Sequence, residues 1–282
     1  MVACSASRSH YLAVGVISAP EYLHRRAVLR GTWMRLIDDE RAADEVCAQF
    51  VVRAAHAPPR IHALLSAEEQ RHHDLLRVDV PWNETRMRGP VLTLAAWIRH
   101  AAVHLSSARY VAKVDDDSYL HATGLAKLLR SSVAAPHART YMGTMTWYSW
   151  YANKWDRCGF GWTWHGSNAM GVHCRNASWA SARCVDGCGP ASGPFPFVAG
   201  YLIVLSAPLA KAIASAPALA SEVDRLRSAK TLHTHKGYRH TQIFEDVWLG
   251  SFVHRFLSPG EPIDFVQLFR SETVVDLDQT QW

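Results

Sequence analysis

Arg109-Tyr-Val-Ala-Lys113-Val114 runs straight into Asp115-Asp116-Asp117. The first six residues read as a short strand buried on both faces, the kind found inside a parallel sheet. Three adjacent carboxylates at its end repel one another unless a cation or solvent screens them. Working outward, residues 11–17 (YLAVGVI) form a second apolar, β-branched run that stops at Ser18-Ala-Pro20, and residues 21–36 then carry a basic helix. Residues 49–54 predict another strand, 66–74 a helix opened by Ser66 with Glu69 in the capping-box position, and 75–80 a strand. Pro90 opens an Ala- and Leu-rich helix reaching about residue 105. Strand and helix alternate through this half, which predicts an α/β fold: an open, mostly parallel sheet with helices on both faces. In such a sheet ligands lie beyond the carboxyl ends of the strands, where the three aspartates stand.

The second half is less regular. Residues 141–196 are rich in Gly, Trp, Cys and His with little periodicity and predict irregular loops and short strands. A strand over 197–205, a helix from Ser206 to about 214, a helix over 241–256 and a final strand over 263–269 follow. No repeat or low-complexity linker divides the chain, so residues 1–282 are expected to form one domain. Its regular half would span 10–120 and its less regular half 121–282.

Composition narrows the function. With 282 residues, 49% of them apolar, the chain can bury a large core, which excludes a disordered protein. Thirty Lys and Arg against 25 Asp and Glu are scattered along the chain and form no block that would track a nucleic-acid backbone, so no nucleic-acid partner is expected. No window approaches eighteen consecutive apolar residues, and residues 1–10 lack a signal-peptide core. Six cysteines and two glycosylation sequons, at Asn83 and Asn176, favour an oxidising compartment.

Oxygen-only ligation by alternate carboxylates at the strand end suits Mg2+ or Mn2+ holding a diphosphate; a solvated acidic turn is the plainer alternative. Glu245-Asp246 opens the 241–256 helix, whose Phe244, Val247, Trp248 and Phe252 fall on one stripe. Acids there can be simple dipole partners, or one can be a base that accepts a hydroxyl proton. Eight aromatic residues lie between Trp147 and Trp164, Trp155 and Trp162 among them, in a stretch with no period. Aromatic faces with polar tips suit sugar rings, although such rings also pack loops onto sheets.

Four motifs in order resemble the galactosyltransferase family of inverting β-1,3-glycosyltransferases, glycosyltransferase family 31. They are Arg26-Ala-Val-Leu-Arg30-Gly-Thr32-Trp33, Lys113-Val-Asp115-Asp116-Asp117-Ser-Tyr119, Phe195-Pro196-Phe197-Val-Ala-Gly200-Tyr201-Leu-Ile-Val-Leu-Ser206 and Glu245-Asp246-Val247-Trp-Leu-Gly250. The resemblance implies a GT-A type, Rossmann-like mixed sheet, a UDP-sugar donor, a glycan or glycoprotein acceptor and a Mn2+ or Mg2+ cofactor. It implies Asp115 and Asp117 as metal ligands, Arg26, Arg30, Lys113, Asp115 and Asp116 as donor contacts, and Asp246 as the base. Gly200, Tyr201 and Glu245, with Trp155 and Trp162, are then expected around the acceptor. Arg26 and Arg30, one helical turn apart, can pair with phosphate, pair with a structural carboxylate, or form a solvated basic face, and Trp33 reads as packing.

The family implies the Golgi lumen, with a membrane anchor that this sequence does not contain, so the chain reads as a luminal portion or an incomplete one. In the same context Cys158, Cys174, Cys184 and Cys188 favour disulfides over a zinc site with His165 and His173, while Cys4 and Cys47 are either paired or free. Two features depart from the family pattern: Leu202 and Ile203 stand where further glycines are usual, and His254 is the one histidine after Asp246. Either water or donor completes the metal shell, or a C-terminal piece lies beyond Trp282. The expected activity is transfer of galactose or N-acetylglucosamine with a β-1,3 link. The competing readings are a non-catalytic, lectin-like or chaperone-like relative and a metal-dependent phosphate-ester hydrolase.

Overall fold

Four apolar runs form the parallel core of the sheet: β1 (Leu12–Ser18), β2 (Val46–Ala55), β3 (Leu75–Pro81) and β4 (Tyr110–Asp115). A computed structural model of the chain describes residues 3–5, 8–39, 45–86, 88–132, 138–148, 160–161, 195–228, 244–257, 260–268 and 274–276. All seven β1 residues are buried, because β1 lies between β2 and β4 with helices above and below. The sheet continues through β8 (Phe195–Ser206), antiparallel to β4, and β6 (Arg139–Tyr148), antiparallel to β8. Both β7 (Phe160–Gly161) and β9 (Ile263–Gln267) pair with β6. The order is β3-β2-β1-β4-β8-β6-β7, and a small antiparallel ladder joins β5 (Ser118–Leu120) to β10 (Val274–Asp276). This is the open, mixed α/β sheet with helices on both faces that the sequence predicts.

Alternation along β1 divides the core. Ala13 and Ile17 face α4 (Arg88–His104) and the helices that follow β8, whereas Leu12, Val14 and Val16 face α1 (Leu23–Gly31), α2 (Trp33–Asp39), α3 (Pro59–His72) and α5 (Ala122–Ser132). Trp97 of α4 lies flat over Gly15, where a methyl group would stand 2.4 Å from the indole, and its Nε1 donates to the Ala112 carbonyl at 3.0 Å. One side chain thereby fixes α4 across β1 and β4.

Several expected elements differ in extent. The basic helix expected over 21–36 breaks at Thr32, which leaves helical geometry (φ −115°, ψ −113°) and returns its hydroxyl to the Val28 carbonyl at 2.8 Å. The helix expected to start at Ser66 begins about two turns earlier, because Pro58 is extended and Pro59 occupies the first helical position; Ser66 lies inside α3 and accepts from Arg77. The stretch read as irregular from residue 141 holds most of β6, a ten-residue strand that begins at Arg139. Its weak pattern has a cause: Gly143 has φ +147°, and the β6–β8 register shifts between Gly143 and Met145.

Past β8, Ser206 caps α6 (Ala207–Ser215) as expected, accepting from Leu209 N at 3.4 Å. Helix α7 (Pro217–Ser228), which the sequence reading missed, comes next. The helix placed over 241–256 is α8 (Glu245–Phe252) followed by a π-helical turn, Val253–Leu257; residues 241–243 lie outside the described residues. Strand β9 is not the last, since β10 follows it. Cys4 and Cys47 form a disulfide, which ties the N-terminal segment to β2.

Helix α8 sits against β8 at Gly250, where a methyl group would stand 2.3 Å from Phe197 Cβ and 2.8 Å from the Pro196 carbonyl oxygen. Gly250→Ala must push the helix off the strand. It is expected to lower unfolding free energy by about 1–3 kcal/mol, the usual range for overpacking, in urea denaturation; an unchanged midpoint would contradict this seating.

Candidate functional site

β4 delivers its last residue, Asp115, to the carboxyl edge of the sheet, and the chain turns through Asp116 and Asp117 into β5. The three carboxylates part company at once. The Asp115 side chain stays 35% exposed. Asp116 is buried, with Oδ2 accepting from Ser18 Oγ at 2.7 Å and Oδ1 from Arg25 Nη1 at 2.9 Å. The same Arg25 nitrogen reaches Asp117 Oδ2 at 3.3 Å, and the guanidinium lies 4.5 Å over the Tyr22 ring. Burial would lower the Arg25 pKa, but the paired aspartates outweigh it and hold it raised. Screening of the aspartate run thus begins with an arginine of the first helix.

A second acidic group arrives from α8. Phe244 is extended and leads into Glu245 and Asp246 in the first turn. Favourable interaction with the helix dipole suits carboxylates there. Asp246 is buried; Oδ1 accepts from Val247 N at 2.7 Å and Oδ2 from Gly200 N at 3.2 Å. Glu245 Oε1 accepts from Lys113 Nζ at 2.8 Å, and that ammonium also pairs with Asp115 Oδ1 at 2.6 Å and donates to the Gly200 carbonyl at 2.5 Å. A methyl group on Gly200 would stand 2.7 Å from Glu245 Oε1, so any larger residue there would displace the Glu245 carboxylate. The acids that close β4 and the acids that open α8, 131 positions apart from Asp115 to Asp246, therefore share one place.

The electrostatics follow from five carboxylates, Asp115, Asp116, Asp117, Glu245 and Asp246, meeting two cations, Lys113 and Arg25. Burial pushes Asp246 up to about 7, with Glu245 beside it adding to the rise. Partial burial, with Glu245 and Asp117 opposing its ionisation, raises Asp115 above its ordinary value in spite of Lys113. Glu245 itself is held below its ordinary value, because Lys113 outweighs the cost of burial. Burial would lower Lys113, yet Asp115 and Glu245 raise it, so it stays an ammonium.

Arg26 and Arg30 adopt the carboxylate pairing of the alternatives open to them. Arg26 is wholly buried and grips Glu68 through Nε at 2.9 Å and Nη2 at 2.7 Å, with further bonds to Ser18 Oγ and the Ala19 and Pro20 carbonyls. Arg30 forks onto Asp74 at 2.8 Å through two nitrogens and meets Glu68 at 2.6 Å. Neither pairs with the aspartate turn directly; Arg26 reaches it through Ser18, which bonds both Arg26 and Asp116. Arg25, which the sequence reading passed over, makes the direct contact. The signal was present in the Arg25-Arg26 pair, but which of two neighbouring arginines faces the sheet edge depends on how α1 is rotated against it.

Trp33 is buried packing. Tyr201, expected around the acceptor with Gly200 and Glu245, is partly buried against the core that holds Leu202 and Val204. Trp155 and Trp162 lie outside the described residues, as do Cys158, Cys174, Cys184 and Cys188. His254 stacks on Phe195, centroids 5.8 Å apart.

For a divalent cation the donor chemistry fits. Asp115 and Asp117 offer oxygen only, both remain partly exposed, and the surrounding charge is negative in excess. Among the described residues no group of three His, Cys, Asp or Glu is placed to hold an ion, so these would contribute two carboxylates, leaving further positions to diphosphate oxygens and water.

Mouse beta-1,3-galactosyltransferase 6 is 30% identical over 135 residues, 47% of this chain and 40% of the relative. Human UDP-GlcNAc:betaGal beta-1,3-N-acetylglucosaminyltransferase 8 is 28% identical over 145 residues, 50% of this chain and 34% of the relative. The aligned part thus spans well under half the length of these relatives. Among solved structures, the mannosyltransferase PcManGT from Pyrobaculum calidifontis, in complex with GDP-Man and Mn2+, superposes with a TM-score of 0.40 at 15% identity, covering 90% of this chain and 66% of that one. The sequence profile of the galactosyltransferase family matches residues 24–223, which include the Arg25 helix, the aspartate turn and Gly200. With well over half of its length matched in this way, the chain belongs to the galactosyltransferase family.

Proposed function

We propose that this chain is an inverting, metal-dependent hexosyltransferase that moves galactose or N-acetylglucosamine from a UDP-sugar to a glycan hydroxyl, forming a β-1,3 link. The observation that carries the proposal is the meeting of the β4 and α8 acids around Lys113, which sets a diphosphate-binding edge beside a buried base. Asp246 accepts the proton of the acceptor hydroxyl as that oxygen bonds to the anomeric carbon. The bond from the anomeric carbon to the UDP oxygen breaks on the opposite face, so one displacement inverts the configuration. Asp115 and Asp117 would hold Mn2+ or Mg2+, which supplies Lewis-acid neutralisation of the charge on the departing diphosphate. Asp116, fixed by Ser18 and Arg25, orients the donor sugar or ribose at the same edge.

The acceptor lies over Gly200, with Trp155 and Trp162, outside the described residues, as its proposed aromatic contacts. Retention of both acidic groups favours catalysis over a binding-only relative, which needs no base. The Cys4–Cys47 disulfide supports an oxidising compartment; the Golgi lumen is proposed from membership of the family.

Asp246→Asn is expected to keep UDP affinity and lose transfer by about 10²–10⁴-fold, the contribution typical of a positioned base, in a UDP-release assay with Mn2+ and a galactoside acceptor. Because the base works ionised and sits at about 7, wild-type kcat/KM should rise with pH through that value and level off above it. Transfer at near wild-type rate by the variant would remove Asp246 as base. Asp117→Ala should abolish the part of UDP affinity that depends on Mn2+, measured by calorimetry with and without the ion; unchanged affinity would remove its metal role.

A further inference from the structure

Lys113, expected among the donor contacts, has surroundings that argue otherwise. The residue is 2% exposed, and an ammonium has three N–H donors. Three acceptors take them: Asp115 Oδ1, Glu245 Oε1 and the Gly200 carbonyl, at 2.6, 2.8 and 2.5 Å. No donor is left for a phosphate. The acceptors come from three elements, the end of β4, the start of α8 and the middle of β8. The Gly200 residue is held on both its backbone groups, its carbonyl by Lys113 and its N–H by Asp246. Glu245 and Asp246 are adjacent carboxylates in a buried setting and repel unless one is compensated, which the ammonium does.

We infer that Lys113 is a positioning residue: it locks Glu245 and Gly200, and through Gly200 the base Asp246, onto the strand that carries the metal-binding aspartates. It does not touch the donor. Glu245 changes role with it, from acceptor contact to the counter-charge of the clamp. The inference rests on the transferase reading above for its catalytic consequence, and on the contacts alone for its structural one.

Lys113→Met strands the Glu245 charge, and adding Glu245→Gln removes that charge again. The single variant is expected to lose about 100-fold in kcat through misplacement of the base, with donor KM within about twofold of wild type. The double variant should recover about tenfold of the loss, as coupled neighbours do. Thermal midpoints should fall in the order wild type, double variant, single variant. A donor KM raised tenfold or more with kcat preserved, or a double variant no better than the single one in both rate and midpoint, would overturn the inference. If Lys113→Met does not fold, the double variant carries the test alone: it should fold and bind UDP with Mn2+ as wild type does, and failure to do so counts against the clamp. Should wild type transfer no hexose from any UDP-sugar, the function proposed above fails, while the order of midpoints still decides whether Lys113 holds these elements together.

Discussion

A buried ammonium shared by three oxygens organises this molecule around its acidic edge. Placing Lys113 in the interior costs several kcal/mol of lost hydration, which is recovered only if partners surround the charge. Asp115, Glu245 and the Gly200 carbonyl do so, and each belongs to a different element. Removing one partner from a buried pair generally costs about 3–5 kcal/mol, so the three elements are bound to a common position. The sheet order makes this possible: β8 runs antiparallel beside β4 and brings Gly200 next to Lys113, while α8 packs on β8 through Gly250.

A second charge network does a different job. Arg26, Arg30, Glu68 and Asp74 balance two positive against two negative charges and tie α1 to α3 and to the start of β3. Glu68 is held below its ordinary value by Arg26 and Arg30 in spite of burial, as a structural carboxylate should be. Arg25, one residue before this network, turns to the aspartates instead. Ser18 joins the two systems, giving its proton to Asp116 and accepting from Arg26. The rigidity of the first helix is thereby passed to the acidic turn without any cation of the network being spent there.

What could be read from the sequence was whatever depends on local pattern. β1 and β4 are continuous apolar runs, and β4 ends on charges, so both the strand and the edge it reaches were legible. Ser206 before a helical stretch announced its own cap. The break at Thr32 and the start at Pro59 had local signals too, a Gly followed by a β-branched residue and a proline at the first helical position; the expected long helix and the later serine obscured them. Other features were not legible because they are set by tertiary packing. Which of Arg25 and Arg26 meets the aspartates depends on the rotation of α1. The bond between Lys113 and Glu245 spans 132 positions, and no spacing rule connects them. Tyr201 lies where the pairing of β8 with β6 shifts register, between Val198 and Ile203, so the alternation of a regular strand does not predict which face it takes.

A single donor and acceptor site requires the aspartate turn and Asp246 to face a common space. Crystals grown with UDP and Mn2+, with data collected at the manganese edge, test it most directly. The account predicts an anomalous peak on the Asp115 and Asp117 carboxylates, UDP along the Ser18 to Tyr22 edge, and the Asp246 carboxylate facing the same space. A manganese ion and UDP bound away from that turn, or Asp246 walled off from them by protein, would contradict it.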